Sequence, residues 1–321
     1  SLGFISFELF INLIIGSYAL AAMLLMGYSF LLRLSFKPSV ESINGKEIVS
    51  YGAYSILDKG AQVIVNSLDI IMIGWLLSLD DVAFYSLPFF IAAVTITPQK
   101  AISTIANPLV SQALSLDENE QLFDLYSKSS LIQLIVGGGI FIAIWVSAEE
   151  LLSLMPEKFG GGLYVILFIG ISKLVSMATG VSGSIIVYSK YYKKNLYLNC
   201  FLIATTILTN YIFMSREFLN MGITGAALAT SLTFIIYNAL KVEFIQRKFH
   251  INPLSKKLGI SILLIIILCT TIKPIRLVNI HQILAIGIKS AVALLIFSFS
   301  VYKLRLSIDL NAYFDNILRK K

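Results

Sequence analysis

The stretch SSLIQLIVGGGIFIAIWVSA, residues 129–148, runs for twenty residues without a charged side chain. A helix needs about 20 such residues to cross the hydrocarbon layer of a membrane. Runs of the same kind recur on both sides of it, at about 9–32, 53–77, 84–110, 162–187, 196–214, 222–244, 258–272 and 283–302. The reading is an all-α integral membrane protein with about nine transmembrane helices. Composition agrees, with 57% hydrophobic and only 13% charged residues, against roughly 25% charged in an ordinary soluble domain. A soluble chain of 321 residues has no single core large enough to hide that much apolar surface.

The loops set an orientation. Lys and Arg are enriched in short cytoplasmic loops. With the 33–50 loop inside, the inner loops and tail collect 17 basic residues and the outer loops four, Lys158, Arg216, Lys273 and Arg276. This places the C-terminus in the cytoplasm and Ser1 outside. The 117–128 stretch is expected to form a short surface helix. In the tail, Leu306, Leu310, Tyr313 and Ile317 share a helical face, as in a helix lying on the membrane surface. A loose basic tail fits as well.

Several function classes fall away. The +7 charge is spread over loops, without the basic stripe of a nucleic-acid binder. Cys200 and Cys269 lie inside apolar runs, and His250 and His281 lie in different loops, so neither a disulfide framework nor a zinc site is expected. No nucleophile with a base, no catalytic carboxylate pair and no phosphate-cradling glycine loop is apparent, and the reading is not an enzyme. Gly137-Gly138-Gly139 falls within a helix and suits close helix packing.

The remaining four basic residues lie inside apolar runs. A lysine at the bilayer centre costs about 2.5–3.5 kcal/mol on insertion scales and calls for a partner or a watery cavity. Lys59 and Lys289 are near enough to helix ends to snorkel. Lys100 and Lys173 are near the middle. Thr97, Lys100, Thr104, Asn107 and Ser111 are spaced 3, 4, 3, 4, which puts them on one helical face. The preceding run carries a second polar stripe of Ser55, Lys59 or Asp58, Gln62, Asn66 and Asp69. Two such stripes read as the wall of a water-filled cavity. Asn199 and Asn210 are placed facing Lys173. Asp69 is expected to pair with Lys100, to carry a coupling proton, or to hold helices together as an ion pair. Pro98 and Pro108 should bend their helix and free backbone carbonyls.

Four stretches carry a resemblance. They are LDIIMIGWLLSLDDVAFYSLPFFIAAV (68–94), LVSQALSLDENEQLFDLYSKS (109–129), EELLSLMPEKFGGGLYVILFIGISKLV (149–175) and NMGITGAALATSLTFIIYNAL (220–240). The last, with Gly222, Gly225, Ala226, Ala227, Ala229 and Thr230, is the most specific. Together they resemble the second lobe of Wzx-type O-antigen and polysaccharide flippases, in the multidrug, oligosaccharidyl-lipid and polysaccharide exporter superfamily. The resemblance implies movement of undecaprenyl-pyrophosphate-linked oligosaccharide to the outer leaflet of the bacterial inner membrane, for O-antigen, capsule or exopolysaccharide. It implies no ATP site and no cofactor, with a polysaccharide polymerase and glycosyltransferases as partners. Lys100 and Lys173 are the positions that would hold the pyrophosphate, with Gln62, Asn66, Asp69, Thr97, Thr104 and Asn107 lining the cavity. On this reading 1–40 ends a first lobe, 41–250 forms a six-helix second lobe, and 251–321 adds two helices and the tail. The family has six helices where this chain has one, so the expectation is a chain truncated at its N-terminus, or half of a two-chain assembly. A drug or cation exporter of the same superfamily is the alternative, and it would place acidic residues deep in the cavity. A membrane sugar polymerase or ligase would need a large outer loop. An inactive fragment is the remaining reading.

Overall fold

The computed structural model describes residues 7–31, 45–155, 157–275 and 281–319, and helix is the only extended regular structure among them. The helices are α1 (Phe7–Leu31), α2 (Gly45–Leu76), α3 (Leu79–Ala93), α4 (Thr97–Ser115), α5 (Asn119–Val146), α6 (Ala148–Ser153), α7 (Leu163–Ala178), α8 (Ser182–Tyr188), α9 (Tyr192–Met214), α10 (Gly222–Phe249), α11 (Lys256–Ile272), α12 (Gln282–Lys303) and α13 (Ile308–Arg319). Each of the nine apolar runs falls on a helix or a pair of successive helices. Among the described residues six helical stretches are long and apolar enough to span a membrane, and seven if α7 and α8 count as one broken span. α2 and α11 are outside that set. α2 carries Asp58, Lys59 and Asp69 along its length, and α11 has 17 residues.

The chain divides into two compact units, residues 1–49 and 50–321. The first contains α1, a single apolar helix. All that follows concerns the second.

One expectation from the loops changes. Residues 119–128 are not a separate surface helix but the first turns of α5, which continues unbroken to Val146. The run at 84–110 is interrupted by a 3-10 turn at Val94–Ile96. The cause is Pro98, which has no N–H for the carbonyl four residues back. That carbonyl, on Val94, instead accepts from the Thr97 backbone N–H and, at 2.8 Å, from the Thr97 hydroxyl. The tail is helical as α13, tied to α12 by Asn311 Nδ2 donating to the Tyr302 carbonyl at 2.9 Å and Tyr302 donating to Asp315 at 2.6 Å. The side chains of Tyr313 and Ile317 lie outside the described residues.

The glycine triplet organises the core. Successive helix positions point about 100° apart, so the three glycines face three neighbours. A Cβ at Gly137 would stand 2.2 Å from Met177 Cε on α7, and at Gly138 2.4 Å from Ile265 Cδ1 on α11. At Gly139 it would stand 3.4 Å from Phe297 Cδ1 on α12. One α5 segment thus seats three helices closely, in a core that includes Phe141, Ile142, Ile166 and Ile169. At the far end of the same block, Lys289 of α12 is ion-paired with Glu150 of α6. Both are well covered, with 5% and 19% of their side chains exposed. Lys289 therefore does not snorkel; its charge is met inside the protein. Ser290 reinforces the contact by donating to the Ala143 carbonyl at 3.1 Å.

Candidate functional site

A cavity of about 590 Å³ opens between α2, α3, α4, the α7–α8 break and α10. Three lysines line it, Lys100 from α4, Lys173 from α7 and Lys241 from α10, and no Asp or Glu does. None of the three has an ion-pair partner within 4 Å among the described residues. Lys173 is 9% exposed, and its ammonium lies 5.5 Å from the ring centres of both Phe89 and Phe234. Lys241 lies 4.2 Å from the Tyr237 ring. Aromatic faces attract a cation, by about 0.5–2 kcal/mol each, yet they leave its net charge in place. The cavity is therefore lined by three cations with no carboxylate among its lining residues.

The break between α7 and α8 shapes its wall. The two helices meet at 54°. The turn depends on Gly180, which has φ +51° and lies so close to α5 that a Cβ would stand 2.8 Å from the Ser130 backbone nitrogen. Only glycine meets both conditions without strain. The polar groups of the turn are held in place. Thr179 donates to Asn238 Oδ1 at 3.0 Å, Asn238 Nδ2 donates to the Phe234 carbonyl at 2.8 Å, and Ser184 donates to Asn107 Oδ1 at 2.6 Å.

Of the residues singled out in the sequence, Lys100, Lys173, Gln62 and Asn66 line the cavity together. The other four stand elsewhere. Thr97 serves the Val94 carbonyl, Thr104 donates to the Lys100 carbonyl at 2.9 Å, and Asn107 braces Ser184. Asp69 is buried and makes no ion pair with Lys100. Its carboxylate accepts from Tyr85 at 2.6 Å, Asn210 at 2.8 Å and Thr230 at 2.7 Å. Asp58, about three turns earlier on the same face of α2, accepts from Asn195 and Asn199, each at 2.8 Å. The asparagines of α9 thus turn toward α2 rather than toward Lys173. Asp58 and Asp69 are occupied by neutral donors, which leaves the cavity's lysines unneutralised. Lys59, the alternative to Asp58 in the stripe, is exposed.

Lys241, Tyr237, Asn238 and Gln99 also line the cavity and were not singled out. Lys241 was counted with a cytoplasmic loop. The signal was present in the spacing of Phe234, Tyr237, Asn238 and Lys241, which lie on one face of a helix.

Fold and site define a multi-pass, all-helical membrane protein with a basic cavity between its helices. Residues 7–155 match a family model described as polysaccharide biosynthesis protein. A relative from Haloferax volcanii, named as a probable low-salt glycan biosynthesis flippase, is 22% identical over 223 residues. The match covers 70% of this chain and 46% of the relative, so the chain spans about half of that protein's length. No solved structure matches. Over these stretches the chain is similar to proteins of polysaccharide biosynthesis, one of them named a flippase.

Proposed function

We propose that the chain takes part in moving lipid-linked oligosaccharide, with an undecaprenyl-pyrophosphate anchor, from the cytoplasmic to the outer leaflet, and is not an enzyme. The observation that carries this is the trio of unpaired lysines in one cavity. A pyrophosphate entering a low-dielectric space needs cations, and here they stand without carboxylate partners. Lys100 and Lys173 would hold the pyrophosphate, Lys241 would add a third contact, and Gln62 and Asn66 would meet the sugars. The break at Gly180 provides the kind of discontinuous span through which transporters change access to a central site. Residues 41–250 would act as one six-helix lobe, with 1–40 ending another and 251–321 buttressing the first.

The same observation weighs against a drug or cation exporter, because no acidic side chain lines the cavity. The charge of the loops supports a cytoplasmic C-terminus. Placement in a bacterial inner membrane, supply of O-antigen or capsule, and partnership with a polymerase and glycosyltransferases belong to the same proposal.

Lys100→Ala in the native host is expected to abolish surface polysaccharide while the protein remains in the membrane at normal amount, with Lys100→Arg retaining much of the activity. Normal polysaccharide from the alanine variant would remove the role assigned to Lys100.

A further inference from the structure

A second basic recess lies at the helix ends. It has a volume of about 450 Å³ and sits where α4 ends, α5 begins, α8 turns into α9 and α10 ends. Lys190, Tyr191, Lys248 and His250 line it, as does one acid, Asp117. The ammonium groups of Lys190 and Lys248 lie 5.5 and 5.7 Å from the centre of the same Tyr191 ring. The two like charges are therefore no more than about 11 Å apart. Neither has an ion-pair partner within 4 Å among the described residues, Asp117 included. The neighbouring Arg247 is paired with Glu243 and takes no part. Tyr191 packs edge-on against Phe244 and Phe249, at 5.6 and 5.9 Å, so the recess has an apolar floor beneath its charges.

The site is distinct from the transport cavity. Lys248 follows Lys241 by seven residues on α10, about 10.5 Å along the helix axis at 1.5 Å per residue. Charge, aromatic floor and position at the ends of apolar helices suit one ligand chemistry, a phosphate group at the membrane surface. Basic pockets between transmembrane helices at the cytoplasmic face bind anionic headgroups in this way. Both ammonium groups stand by the same ring without a carboxylate within 4 Å, and an anion entering the recess would be attracted by both.

We propose that this recess binds the phosphodiester headgroup of an anionic phospholipid, with Lys190 and Lys248 as its cations. The proposal rests on the multi-pass membrane reading and not on what the central cavity carries. The test is native mass spectrometry of the purified 321-residue chain, titrated with phosphatidylglycerol, with phosphatidylcholine or with inorganic phosphate. The wild type is expected to retain phosphatidylglycerol in preference to phosphatidylcholine. Lys190→Gln with Lys248→Gln is expected to weaken that retention by about 30-fold. Both side chains are exposed, so an unchanged thermal unfolding midpoint checks that the variant is folded. Lys59→Gln, an exposed lysine of α2 outside both sites, should leave retention as it is. Equal retention by the double variant, or release by Lys59→Gln, would overturn the proposal. Full displacement by millimolar inorganic phosphate, without preference between the two lipids, would assign the recess to a soluble phosphate and overturn it as well.

Discussion

Lys173 and Lys289 are both buried lysines in apolar runs, 9% and 5% exposed, yet the two regions around them are built differently. Lys289 stands in the α5–α6–α12 block, where Glu150 neutralises it and the neighbouring Ser290 bonds to the Ala143 carbonyl. Lys173 stands in the cavity wall, where it meets two aromatic rings and no carboxylate within 4 Å. Burial alone thus says little about purpose. A buried charge with a built-in partner ties helices together, whereas one without a partner needs another account, here the proposed ligand.

The largest effect that separates the two regions should come from the paired lysine. Lys289→Met strands Glu150 as an uncompensated buried charge and should destabilise the protein by about 3–5 kcal/mol. Adding Glu150→Leu should recover most of that loss, because an apolar pair can replace a buried ion pair at little cost. Thermal unfolding in detergent, followed by size-exclusion chromatography, reads both. Failure of the double variant to recover would show that Glu150 has a role beyond the pair.

Gly180→Ala comes next. It places a Cβ against the Ser130 backbone at φ +51°, and strain of this kind costs about 1–3 kcal/mol. The same unfolding assay should show that loss, together with altered protease sensitivity at the α7–α8 turn. An unaffected variant would mean that the turn is free to relax.

Lys173→Met should behave in the opposite way to Lys289→Met. Removing an unpartnered buried ammonium should leave stability within about 1 kcal/mol of the wild type, on the stabilising side, while lipid-linked oligosaccharide transport is lost. A large loss of stability would erase the contrast between the two lysines. The smallest effect belongs to Thr97→Val, which removes one of two donors to the Val94 carbonyl. Side-chain hydrogen bonds within membranes average about 0.6 kcal/mol, and the unfolding midpoint should fall accordingly.

The helical membrane fold was legible because it depends on length and composition, properties each run carries alone. The use of Gly137–Gly139 was legible for the same reason, since small residues inside a span have few other purposes. Partner choice was not. Asn199 and Asn210 were placed facing Lys173, but they bond to Asp58 and Asp69, whose positions lie about 140 residues away in the chain. Helical spacing gives the face of a residue and not which helix comes to meet it. Lys289 shows the same limit, because Glu150 sits in a short helix 139 residues earlier. The start of α5 shows another limit: its first turns are polar, so apolarity marks where the span lies and not where its helix begins. Half of the expected site did converge on the cavity, through Lys100, Lys173, Gln62 and Asn66. The threonines at 97 and 104 turned to backbone carbonyls close by in sequence, a local use that a shared face does not reveal.

The seating of three helices on three successive glycines limits how this molecule can move. A helix slides past its neighbours like a screw, and one residue of travel rotates each position by about 100°. Such a step in α5 would bring Val136 to the place of Gly137, where even a Cβ would stand 2.2 Å from Met177 Cε. The glycines therefore key the shaft. A rearrangement would carry α5, α11, α12 and the adjoining part of α7 together as a single stator, with the 54° break at Gly180 setting α8 off from it.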